Sequence, residues 1–156
     1  MDLGSKSPIY DLLLLAHIVA AIGGFGANGL AGVYAGQLYP TATDSATRYF
    51  TSPRFIAEKL IYLVPVFGLI MIGVSRGTSE LVKPWVLTGI TAWVAAIAVA
   101  QTLVWPNERK IAKLVGSASE VAAVQIHAKK LARGAMILDL IFMIALVTMI
   151  GQFGGK

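Results

Sequence analysis

The stretch LLLLAHIVAAIGGFGANGLAGVYAGQ, residues 12–37, contains no Asp, Glu, Lys or Arg, and its reading decides the fold. A helix rising about 1.5 Å per residue needs about 20 residues to cross a hydrocarbon core of about 30 Å, and this run is longer than that. It is also too long for the core of a cleaved leader, and the preceding MDLGSKSPIYD carries one Lys against two Asp, so the segment is expected to be retained. Residues 55–75, 84–105 and 135–153 are likewise long and apolar, interrupted only by the charges of Glu58, Lys59 and Asp139. The second run contains Pro65, which should bend its helix by removing a backbone hydrogen bond. The third opens on Pro84, a favoured first-turn residue, and Pro106 should stop it. The expected fold is therefore all-α: a bundle of four transmembrane helices forming one domain over residues 1–156.

Composition agrees with that expectation. Charged residues make up 13% of the chain and hydrophobic ones 56%, with a mean hydropathy of +0.73, where a soluble domain has about 25% charged residues. The absence of cysteine removes disulfides, thiolate metal sites, iron–sulfur clusters and thiol catalysis. The net charge of +5 does not call for nucleic acid, because basic residues belong at cytoplasmic helix ends facing anionic lipid.

The connectors give an orientation. Arg48, Arg54 and Lys59 lie in or beside the first, and Arg109, Lys110, Lys113, Lys129, Lys130 and Arg133 in the third, against Lys6, Arg76, Lys83 and Lys156 on the other side. The positive-inside rule then puts connectors one and three in the cytoplasm and both termini outside, in a bacterial inner membrane. Residues 107–133 alternate apolar with basic and polar residues, so this connector should extend the flanking helices or lie along the membrane surface. Trp85 and Trp105, at the two ends of the third span, are expected in the aromatic belts.

Helix association in lipid relies on close packing and polar contacts. The row Ala16, Ala20, Gly24, Asn28, Gly32, Gly36, at four-residue spacing, predicts a tightly packed face on the first helix, against another helix of the bundle or another subunit. Polar groups inside the spans are the candidates for function. Asn28, Glu58, Lys59, Gln101 and Asp139 should lie at a similar inner-leaflet level, with Asp139 paired to Lys59 or to Arg133. His17 stands nearer the outer surface, on one helix face with Gly24 and Asn28. Its imidazole, with Asn28 as a second contact, could hold haem iron, a copper ion or a quinone carbonyl, or could bond a backbone carbonyl or lipid headgroup. His127, the other histidine, belongs to the opposite side, which argues against bis-histidine haem ligation within the chain.

The run Leu15-Ala-His17-Ile-Val-Ala-Ala-Ile-Gly23-Gly24 resembles small bacterial integral membrane proteins with a helix-one histidine followed by glycines. Copper-resistance D-type proteins and four-helix protoporphyrinogen oxidases share that look, and the resemblance implies haem or copper chemistry at His17. The residues themselves carry no HExxH, GxSxG, phosphate-binding loop or GxGxxG, and no paired broken helices of a transporter. They point away from an enzyme. The expected function is an accessory or assembly subunit packed against a larger respiratory or photosynthetic membrane complex, with a redox protein binding haem, copper or quinone through His17 as the alternative.

Overall fold

The structure is a computed structural model, and it describes residues 7–39, 42–52, 57–75 and 81–151. Lys6, Arg54, Arg76 and Lys156, which enter the charge count for orientation, lie outside these residues, as do the expected span ends at 55–56 and 152–153. Among the described residues the chain is all-helical. Four helical segments, Pro8–Gly36, Ala57–Val74, Pro84–Leu114 and Val121–Gly151, are long and apolar enough to cross a membrane.

Helix α1 (Pro8–Gly36) starts where Ser7 caps it, its hydroxyl accepting from the Tyr10 amide at 3.2 Å, with Pro8 in the first turn. Both features satisfy or avoid the orphan N–H groups of a helix start. The short α2 (Asp44–Thr51) is capped the same way by Thr43. The second span begins as a 3₁₀ helix (Ala57–Tyr62) and becomes α3 (Leu63–Ser75). Pro65 therefore falls in the first turn of α3 rather than inside a longer α-helix, and the irregularity lies upstream of it as 3₁₀ winding. Pro65 has no N–H for the Ile61 carbonyl, and Trp93 Nε1 donates to that carbonyl at 2.9 Å instead.

The third span corrects the expectation at Pro106. Helix α4 (Pro84–Val99) passes through a π-turn (Ala100–Val104) into α5 (Trp105–Leu114) without a break. The Trp105 amide bonds the Ala100 carbonyl, five residues back. The wider turn relieves the clash that a proline ring makes with the carbonyl four residues before it. The fourth span likewise starts earlier than 135: α6 (Val121–Gly151) has 31 residues, about 46 Å of helix at about 1.5 Å each. The connector of residues 107–133 is thus mostly the extension of two antiparallel helices. They turn through Gly116, whose φ of 100° is the left-handed conformation that glycine adopts without strain.

Helix α1 packs against the second span and against α6, and α4 and α5 pack against α6. Two glycines of the small-residue row set the closest approaches. A Cβ on Gly24 would sit 2.5 Å from the Ile61 backbone nitrogen, and one on Gly32 would overlap the Ala135 Cβ. The row thus serves contacts inside the bundle at these two positions, while Gly36 faces open space. Phe25 stacks on Phe142 at 4.8 Å between α1 and α6. Core residues such as Leu38, Ile61, Val104, Ile111, Leu131 and Leu138 are buried, whereas the early turns of α1 are not, with Leu12 at 66% and Leu15 at 58% exposure. Such a surface is consistent with lipid contact.

Candidate functional site

Four of the five intramembrane polar residues gather around Trp105. Asn28 is fully buried. Its amide nitrogen donates to the Gly24 carbonyl at 2.7 Å, one turn back, which turns Oδ1 away from its own helix. That oxygen accepts from the Trp105 indole nitrogen at 3.1 Å, across 77 residues of sequence. The Lys59 ammonium lies over the Trp105 ring, 3.4 Å from its centroid. Tyr62 packs obliquely on the same ring at 5.7 Å, and its hydroxyl accepts from Gln101 Nε2 at 3.1 Å. Glu58 is buried beside them, and with Lys59, Trp105, Glu108 and Arg109 it lines a cleft of about 250 Å³.

The aromatic-belt expectation does not hold for Trp105, which is 4% exposed and belongs to the interior. The physical reason lies in the helices that pass it: α1 brings a buried amide oxygen that needs a donor, and an indole N–H is only a donor. A signal was present in the sequence, since Asn28 is a polar side chain flanked by Ala27 and Gly29 within an apolar span. The assembly joins α1, the 3₁₀ segment and the third span through one ring. An amide–indole bond, a cation over a π face and a phenol–amide bond are the polar contacts that hold helices in lipid, where apolar burial supplies little.

Asp139 does not join this group. Its carboxylate lies against Gly29 of α1, where a glycine Cβ would come within 2.9 Å of Oδ1. Among the described residues it forms neither of the expected ion pairs: Lys59 is engaged with Trp105, and Arg133 stands on another face of α6. Asp139 is exposed.

His17 lies apart, where the first and second spans meet. Its Nδ1 is 2.8 Å from the Val64 carbonyl. A carbonyl only accepts, so Nδ1 carries the proton, and in the neutral ring Nε2 is left with its lone pair. Gly68 lies beside the ring, where a Cβ would be in van der Waals contact with the imidazole at 3.4 Å. Among the described residues no three His, Asp or Glu side chains converge as a metal site. Asn28 is spent on Gly24 and Trp105, so the structure does not bring it to His17 as a second contact. The chain matches no family model, no curated protein and no solved structure, so its function is to be read from the fold and these contacts alone.

Proposed function

We propose that this protein is a non-enzymatic accessory or assembly subunit that packs against a larger membrane complex, respiratory or photosynthetic in type, in a bacterial inner membrane with both termini outside. The observation that carries the reading is Asp139. A carboxylate at a helix centre costs about 2.5–3.5 kcal/mol on insertion scales, and this one is exposed with no ionic or hydrogen-bonding partner among the described residues. Beside it on α1, Gly26 and Gly36 have no atom within 4 Å of where a Cβ would be. A second helix can approach that backbone closely and bring a donor to the carboxylate. The orientation is supported by Arg48, Lys59, Arg109, Lys110, Lys113, Lys129, Lys130 and Arg133, which lie toward the α2 and α5–α6 end, against Lys83 at the other.

Isolation of the chain from native membranes in mild detergent tests the reading. A larger complex is expected to co-purify stoichiometrically with the unaltered chain, with at least roughly a tenfold loss for Asp139→Leu and a smaller loss for Asp139→Asn, which keeps a polar group. An unaltered chain that emerges alone, with no loss to register in the variants, would overturn it.

One observation favours the redox reading: a histidine whose Nδ1–H is fixed on a carbonyl presents Nε2 as a metal ligand. The same bond argues against a quinone carbonyl at neutral His17, since that carbonyl would need a donor. If the reading holds, purified protein reconstituted with haem has a Soret band that His17→Ala removes. A spectrum unchanged by that substitution would sink it.

A further inference from the structure

At the end of the bundle away from His17, α5 and α6 enclose a second cleft, of about 430 Å³, in which two chemistries meet. Lys110 from α5 and Lys130 and Arg133 from α6 line it with positive charge, and among the described residues no carboxylate is in its lining. The cleft beside Trp105, by contrast, sets Glu58 and Glu108 against its cations Lys59, Arg109 and Lys113. Farther along the same two helices the lining turns apolar, with Leu103 and Ile137. Seven residues separate Leu103 from Lys110 and Ile137 from Lys130, about 10 Å of rise on each helix. Because the helices run antiparallel, both apolar residues lie toward the membrane interior and both lysines toward the connector end.

The two walls of the cleft are joined by a buried contact. Asn107, 6% exposed, donates from Nδ2 to the Leu103 carbonyl at 2.6 Å. Its Oδ1 therefore faces α6, where His127 Nδ1 donates to it at 2.7 Å. An amide fixed at both ends ties α5 to α6 beneath the cations, so little ordering remains for a ligand to supply.

We infer that this cleft binds an anionic phospholipid, with the phosphate among Lys110, Lys130 and Arg133 and an acyl chain along Leu103 and Ile137. Charge complementarity selects an anion, since three cations of one sign repel each other until a phosphate screens them. The apolar half and the lateral opening between two membrane-spanning helices select a lipid over free phosphate. Ile137 and Thr102 are both exposed at that opening. Basic pockets between transmembrane helices at the headgroup level have this form. The inference is independent of whether the chain serves a complex or a redox group.

Native mass spectrometry of the full chain in neutral detergent micelles tests it, with phosphatidylglycerol, phosphatidylcholine and inorganic phosphate as probes. Each cation near an anionic headgroup contributes about fivefold in affinity, so phosphatidylglycerol should be retained about 100-fold more tightly than phosphatidylcholine. The triple variant Lys110→Gln, Lys130→Gln, Arg133→Gln should erase that preference. A control triple, Arg48→Gln, Lys113→Gln, Lys129→Gln, removes as much charge from the same end and should keep it. Equal retention of the two lipids, equal loss in both triples, or inorganic phosphate bound as tightly as phosphatidylglycerol would each overturn the inference. Should the first triple fail to fold, the lipid preference of the unaltered chain and its persistence in Lys110→Arg, Lys130→Arg decide the matter.

Discussion

Replacing Trp105 with alanine is expected to remove about 3–5 kcal/mol of stability, as large aromatic-to-alanine changes at buried positions do. The side chain is 4% exposed and two separate elements, α1 and the 3₁₀ segment, reach it, so its loss opens a cavity and releases several partners at once. Asn28 Oδ1 loses its donor inside the bundle, and the Lys59 ammonium loses the π face that partly replaces its water. Trp105→Phe separates the contributions, because a ring remains for Lys59 and Tyr62 while the N–H is gone. An unmet buried acceptor costs about 1–3 kcal/mol, and hydrogen bonds within bilayers average about 0.6 kcal/mol. The phenylalanine variant should therefore lose about 1 kcal/mol. Unfolding in mixed micelles of neutral and anionic detergent, followed by far-ultraviolet circular dichroism, measures both. Were Trp105→Ala to unfold with the unaltered chain, the ring would not be what joins the third span to α1.

The parts of this fold that depend on local sequence were legible, and the parts that depend on which helix meets which were not. Span number follows from apolar length, a property of each segment alone, and all four segments are present. Pro106 shows how a local rule fails. Proline ends a helix when the chain has somewhere else to go, but here a π-turn absorbs the ring and the helix continues to Leu114. No periodicity reveals that π-turn, because it costs one irregular turn and leaves the apolar pattern intact. Asn28 was recognisable as a polar residue in need of a partner, yet its partner is 77 residues away, and choosing it requires knowing that the third span brings Trp105 to α1. The same missing knowledge placed Trp105 in a belt and Asp139 beside Lys59. Charge type suggested the ion pair, but the helix faces keep the two apart, and the Trp105 ring takes the cation. His17 was legible as a site of interest, while its tautomer was not, because the carbonyl that fixes it comes from α3.

A valine at Gly24 is expected to destabilise the bundle by about 3 kcal/mol, the upper part of the range for overpacking, while valine at Gly26, two residues on, changes stability by less than about 0.5 kcal/mol. Both positions are helical glycines in α1 and identical by propensity, so the contrast isolates what each one faces. A Cβ on Gly24 would lie 2.5 Å from the Ile61 nitrogen and 2.8 Å from its Cα, both backbone atoms that no rotamer change can move. A Cβ on Gly26 meets nothing within 4 Å. The only relief at Gly24 is for the 3₁₀ segment to withdraw from α1, and that segment carries more than its own packing. The Ile61 carbonyl accepts from Trp93, and the Val64 carbonyl, one turn on, fixes the His17 proton on Nδ1. Withdrawal should therefore loosen the His17 ring and the Trp93 contact together, visible as a shifted Trp emission spectrum alongside the lowered unfolding midpoint. If Gly24→Val and Gly26→Val unfolded together and emitted alike, the close approach of α1 to the second span would not be what seats His17, and the small-residue row would owe its composition to something other than this contact.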